Sequence, residues 1–395
     1  MKNLLIAERQ QTKAGRLKMH GRCFFVLPLF LAWVIVSLSA CNDWTKVEPE
    51  FGEENLEGTT KSAEYYASLR EWKKTPGLPQ TFVWFDSWSG GLSGDASLSG
   101  LPDSLTIASN WGGHPKFQLT EARKADMKYA QEVKGVKVVV TLFSAKVGDD
   151  VPYEDIYDIP ANSSDSAVIA PAIRRYAESI YEQVVASGYD GFDWDYEPIG
   201  GGTQENYLWR NKAQRTMFVE ELSYWFGKGS QRTDRGGRKP AKPGLLFLID
   251  GEVGIMEHMD KDWPSYYVDY FVLQAYGGGA LEWRISGVID DMSKWINEGK
   301  ITKEEVVSRI ILTENFESYA STGGGVLEMS GYVYKPGAGM KNEGVDQQIG
   351  GFGIYRPAFD YNQGKGDYNG SPEYYFLRQG ITNLYRTYYE RKNAH

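Results

Sequence analysis

The stretch Tyr189-Asp190-Gly191-Phe192-Asp193-Trp194-Asp195-Tyr196-Glu197-Pro198 decides how the rest of the chain is read. Side chains of a strand alternate between faces, so an extended run here puts Asp193, Asp195 and Glu197 on one side and Phe192, Trp194 and Tyr196 on the other. An aromatic face wants an apolar neighbour such as a covering layer of helices. An acidic face wants an enclosed polar space. Both demands are met when the strand belongs to a barrel, with the acids pointing inward and rising toward its C-terminal mouth.

Seven other apolar runs of similar length surround this one: 80–88, 104–113, 136–145, 244–253, 268–278, 309–317 and 350–359. Helical spacing of apolar residues separates them, most clearly over 119–135, 166–188, 204–228, 281–297 and 373–386. The segments after the first and seventh runs are rich in Gly and Ser and carry little helical signal. Strands alternating with helices imply a parallel sheet, and eight such units point to an α/β fold, a single-domain (β/α)8 TIM barrel over 76–395. A doubly wound open sheet is the alternative. No GxGxxG or Walker-type loop follows the first run to support a nucleotide-binding version of it.

Three stacked acids resist full ionisation, because burial and mutual repulsion both favour the protonated form. A protonated carboxyl at the mouth backed by an ionised one is the requirement for a general acid. Acids at a strand end also serve to bind loop amides, or hard cations such as magnesium and calcium.

The run resembles the DxxDxDxE signature of glycoside hydrolase family 18, at Asp190, Asp193, Asp195 and Glu197. That resemblance implies a (β/α)8 barrel and retaining, substrate-assisted hydrolysis beyond an N-acetylglucosamine, in which the substrate's own 2-acetamido oxygen forms an oxazolinium ion. It implies Glu197 as the acid that protonates the leaving oxygen and later activates water, Asp195 as the group that orients the acetamido, and Asp193 as the inner acid sharing a proton with Asp195. Asp190 is out of register with that face and is read as structural. The sixth run adds Gln274 and Tyr276, an arrangement similar to the QxY of endoglycosidases acting on N-glycans, with the tyrosine hydroxyl on the acetamido oxygen. The third run ends Leu142-Phe143-Ser144-Ala145 and departs from the SxGG common in chitinases.

Sugars require flat apolar faces and polar partners for hydroxyls. Trp88, Trp111, Asp250 and Tyr355, at the ends of other runs, are expected substrate contacts. Neither a cofactor nor a metal is expected.

Residues 1–22 carry six basic side chains against Glu8, and an apolar run follows over 24–40. This is the order of a secretory signal, starting at Met1 or Met19. Leu38-Ser39-Ala40-Cys41 resembles a bacterial lipobox, which implies a lipid anchor on Cys41 and an outer-membrane location, with an uncleaved membrane helix as the alternative. Residues 41–75 read as a polar tether and a lead-in helix. Without 1–40 the net charge moves from −9 to −14, since 37 basic and 51 acidic side chains remain. No basic field for nucleic acid exists, and two cysteines make no disulfide scaffold. The whole resembles surface-lipoprotein endo-β-N-acetylglucosaminidases of Bacteroidetes, expected as monomers acting on an N-glycan or another GlcNAc-containing oligosaccharide. A chitinase-type hydrolase and a non-catalytic glycan-binding lipoprotein are the alternatives.

Overall fold

The computed structural model describes residues 61–91, 94–112, 116–144, 151, 165–197, 212–252 and 259–394. The signal over 1–40, Cys41 and the tether to residue 60 lie outside them.

Each of the eight apolar runs contains a strand: β1 Gln80–Phe85, β2 Ile107–Asn110, β3 Lys137–Phe143, β4 Gly191–Tyr196, β5 Leu246–Gly251, β6 Tyr270–Gln274, β7 Ile310–Asn315 and β8 Gly351–Tyr355. All neighbours are parallel, and β1 pairs with β8 in the register Trp84 to Tyr355, so the sheet closes into a barrel. That pairing removes the open-sheet alternative.

The alternation seen in the sequence is obeyed on both faces. Phe82, Trp84, Ile107, Val139, Leu248, Val272 and Ile311 form a separate apolar cluster filling the barrel interior. Phe192, Trp194 and Tyr196 point outward into the larger core between strands and helices. There Trp194 stacks on Tyr196 at 4.8 Å and meets Phe218 edge-on at 5.3 Å. Phe218 belongs to α4, Lys212–Ser223, which packs beside α3, Ser166–Ser187. The remaining helices among the described residues are α1 Ala63–Lys73, α2 Glu121–Tyr129, α5 Leu281–Asp291, α6 Ser293–Asn297, α7 Lys303–Val307, α8 Phe316–Tyr319, α9 Val326–Ser330 and α10 Tyr375–Ala394.

Departures from periodicity have local causes. The expected helix over 281–297 is two helices, because Met292 leaves helical geometry (φ −95°, ψ 6°). The expected helix over 119–135 ends in a wider π turn, Ala130–Lys134, stopped by Gly135 at φ 72°. After β1 the described residues make two short 3-10 turns, Gly94–Ala96 and Leu98–Gly100. After β7 come α8, α9 and a two-stranded hairpin pairing Val333–Tyr334 with Gln347–Gln348.

The lead-in helix is fastened to the barrel through one buried acid. Asp103 takes Lys61 Nζ at 2.7 Å, Lys134 Nζ at 2.9 Å and the Tyr65 hydroxyl at 2.9 Å. Burial opposes its charge, but Lys134 and Lys61 together hold the carboxyl well below its ordinary range. Removing one member of a buried ion network strands the others, at about 3–5 kcal/mol. Asp103→Ala is therefore expected to lower stability by about that amount in chemical denaturation. A folded-state value below the unfolded one means that this contribution is present above about pH 4 and fades as the pH falls through the folded value. The gap between wild type and variant should accordingly narrow in acid. An equal gap at pH 7 and at pH 3 would remove the ionic explanation.

Candidate active site

β4 carries its acids at successive levels of the interior. Asp193 is fully buried, and its Oδ2 accepts the indole N–H of Trp84 at 3.0 Å and the hydroxyl of Thr141 at 2.9 Å. Two residues higher, Asp195 Oδ2 accepts the indole N–H of Trp111 at 3.3 Å. Glu197 follows at the strand's end, and its Oε1 accepts the Gln274 side-chain amide N–H at 2.8 Å.

A fourth acid joins from the next strand. In the β4–β5 register Asp250 lies opposite Asp195, and both of its buried oxygens lack an N–H or O–H partner. The next residue, Gly251, sits at φ 149°, where a Cβ would come within 1.9 Å of the Tyr196 carbonyl oxygen. Only glycine lets β5 stay against β4 at that level.

Burial in the barrel drives all four carboxyls toward the protonated form. Asp195 is pushed up to about 8 by burial and then by the charge of Glu197. Asp193 is raised by burial against the donors that favour its charge. Asp250 is held well above the ordinary range by burial, then by Asp193 and Asp195. Glu197 is raised by burial, opposed by the Gln274 bond and assisted by Glu252. The rise keeps Glu197 protonated to higher pH than an exposed glutamic acid, as a proton donor requires.

Aromatic rings wall this cluster. Tyr276 lies nearly parallel to Tyr355 at 6.5 Å, and Trp111 meets Tyr355 edge-on at 5.1 Å. The Tyr276 hydroxyl is raised well above its ordinary value by burial and then by Asp250, Asp195 and Glu197, so it remains a hydrogen-bond donor. Tyr355 is pushed up to about 12 by burial. Among the described residues, no group of three or more His, Cys, Asp or Glu side chains is arranged to hold a metal ion.

Of the residues expected from sequence, Glu197, Asp195, Asp193, Gln274, Tyr276, Trp111, Tyr355 and Asp250 converge. Asp250 requires a correction. It is not a sugar contact at the rim but is 1% exposed beneath it, because its register places it against Asp195. Trp88 also requires one. It is 2% exposed in the outer core, and its indole N–H donates to Asp126 at 2.8 Å. That carboxylate also takes the Leu98 and Ser99 amides, so Trp88 anchors the loop after β1. Asp190 lies at the opposite end of β4, accepting from the Val138 amide, Gln131 and Lys137, as a structural residue should.

Two contributors were missed by sequence reading. Trp84 and Thr141 both hold Asp193. Counting inward positions by twos along the first and third runs would have found them, since each lies on the interior face.

The family model for glycoside hydrolase family 18, BT1044-like, matches residues 45–382. The chain belongs to glycoside hydrolase family 18. Among solved family 18 folds, a Glu-to-Gln variant of BT1044 is 26% identical, covers 87% of this chain and 97% of its own, and superposes with a TM-score of 0.53. An endo-β-N-acetylglucosaminidase from Cordyceps militaris, in apo form, shares the fold at 16% identity, with 82% of this chain and 97% of its own covered and a TM-score of 0.53. A mutant of the Cordyceps enzyme in complex with fucosyl-N-acetylglucosamine-Asn superposes with a TM-score of 0.51 at 15% identity, over 82% of this chain and 97% of its own. Curated proteins give no match. The family 18 signature Asp190, Asp193, Asp195, Glu197 thus runs along β4 and its two flanking positions in a family 18 barrel, with Asp193 and Asp195 buried in the interior and Glu197 at the strand's end.

Proposed function

We propose that the protein is a retaining, substrate-assisted endo-β-N-acetylglucosaminidase that hydrolyses the GlcNAc-β-1,4-GlcNAc core of N-glycans. Glu197, protonated, gives its proton to the leaving glycosidic oxygen as the bond to the anomeric carbon breaks. The substrate's acetamido oxygen attacks that carbon, closing an oxazolinium ring. Asp195, ionised, accepts the acetamido N–H and offsets the positive charge, while the Tyr276 hydroxyl donates to the acetamido oxygen. Glu197, now a carboxylate, takes a proton from the water that reopens the ring, and the configuration is retained.

The observation that carries this reading is the hydrogen bond from Gln274 to Glu197, with Tyr276 two residues farther along beside the same acids. A spacing read from sequence as endoglycosidase-like becomes a physical link between the amide and the proposed acid. The Cordyceps militaris neighbours, one of them holding fucosyl-N-acetylglucosamine-Asn, support the same bond. The signal and Cys41 further support export and lipid anchoring in the outer membrane.

Incubation with glycoproteins bearing high-mannose, complex and hybrid glycans, followed by mass analysis, tests the reading. One N-acetylglucosamine left on the protein is the expected product. Cleavage confined to chitin oligomers would make the protein a chitinase, and no product from either would make it a glycan-binding protein.

A further inference from the structure

We propose that Asp250, outside the β4 signature, is a positioning residue of the reaction: it keeps a second shared proton inside the barrel, so that Asp195 meets the substrate's acetamido group as a carboxylate. The inference rests on the hydrolase reading above for its role in turnover, but not for the protonation it asserts.

Both oxygens of Asp250, Asp193 Oδ1 and Asp195 Oδ1 are buried with no N–H or O–H of another side chain or of the backbone on them. The other oxygens are already satisfied, Asp193 Oδ2 by Trp84 and Thr141, and Asp195 Oδ2 by Trp111. Unsatisfied buried oxygens are costly, and unsatisfied charged ones more so. Asp250 stands opposite Asp195 on the neighbouring strand, and both Asp193 and Asp195 raise its carboxyl, so one proton between Asp250 and each of them satisfies all four oxygens. Three carboxyls then hold two protons and one negative charge.

Without Asp250, Asp193 and Asp195 form a pair sharing a single proton. With it, the charge has three places to reside and two protons follow it. Arrival of the acetamido N–H at Asp195 draws the negative charge there, leaving one proton on Asp193 and one on Asp250. No proton enters or leaves. The groups facing Asp250 do not supply a competing cation: they are Asp193 and Asp195 on β4, Val272 opposite it on β6, and Tyr276 just beyond β6. Glu252 adds further negative charge near the mouth.

Asp250→Asn tests this. The carboxamide keeps the shape, donating an N–H to one neighbour and accepting at its oxygen from the other, but it carries no carboxyl proton of its own. Infrared spectra of the free protein at pH 7 should show a protonated-carboxyl band in wild type, reduced by one group in D250N. In hydrolysis, kcat should fall about tenfold or more with KM little changed. The alkaline limb of the kcat/KM profile should keep its position, because two carboxyls with one proton carry the same single negative charge as three carboxyls with two. An unchanged infrared band, or an alkaline limb displaced by about one unit, would overturn the proposal. Should D250N not fold, the D360N background decides, since Asp360 is itself pushed up to about 7 by burial: a protonated-carboxyl band that persists there at pH 7 and titrates away only above it supports the shared protons, and its absence at pH 7 removes them. Wild type without hydrolytic activity would defeat the proposed function while leaving the infrared result to decide Asp250.

Discussion

Glu197→Gln is expected to leave a folded protein that binds glycan and turns it over about 10³- to 10⁴-fold more slowly, the range that a positioned general acid contributes. The substitution keeps the volume of the side chain and keeps an amide oxygen to accept the Gln274 N–H, so the 2.8 Å contact survives. What disappears is the proton. Burial and Glu252 hold wild-type Glu197 above the ordinary carboxylate range, so it stays protonated at a pH where an exposed glutamic acid has ionised. Activity in wild type should therefore fall on the alkaline side as Glu197 loses that proton, and the variant's residual activity should lack that limb. Substrates with a good leaving group need less protonation of the departing oxygen, so the deficit should shrink for an activated aryl glycoside. Isothermal titration with a core N-glycan should give similar affinities for both proteins. Equal turnover of the two on a natural glycan would take Glu197 out of the acid role.

How much of this was legible in the chain depended on distance along it. Asp193, Asp195 and Glu197 could be read as one face because a strand's period of two is a local property, and the outward partners Phe192, Trp194 and Tyr196 were visible in the same ten residues. Asp250 was visible only as an acid closing an apolar run. Its company is set by the β4–β5 register, which brings residues 55 apart to one level, and no local pattern encodes that pairing. Trp88 shows the opposite error. It looked like a rim platform because it follows a strand, but β1 ends at Phe85 and the chain turns. Its indole then finds Asp126, 38 residues away, and the apolar body is buried with it.

The rim itself is held by contacts of the same non-local kind. Glu314, fully buried at the end of β7, accepts the amides of Gly277, Asn315 and Gly325, fastening the loop that follows Tyr276 to the loop that follows β7. Arg356, in left-handed geometry after β8, donates to Asp86 after β1 at 2.6 Å and to Glu317 on α8 at 2.8 Å. Each spans neighbouring strands around the mouth. The sequence showed an acid and a base at strand ends, while their partners became visible only once the barrel closed.

Asp195→Asn should act on the other half of the reaction. Asn keeps the shape and an oxygen for the Trp111 indole, so the fold and the 3.3 Å contact have no reason to change. It supplies no negative charge to the forming oxazolinium ion, and electrostatic support of that kind is worth about 10²- to 10³-fold in kcat. KM should hardly move, since the charge on the ring exists only near the transition state. Asp195 is pushed up to about 8 by burial and by Glu197, and it titrates together with Asp193 and Asp250, so the acidic limb of the wild-type profile belongs to the cluster. Replacing the residue that must ionise should flatten that limb while the alkaline limb, set by Glu197, remains. Supplying a preformed sugar oxazoline bypasses the ring closure that Asp195 serves, so wild type and variant should then differ far less than on the intact glycan. An equal deficit on both substrates would place Asp195 in ring opening or in binding, and an unchanged acidic limb would show that another group carries the charge.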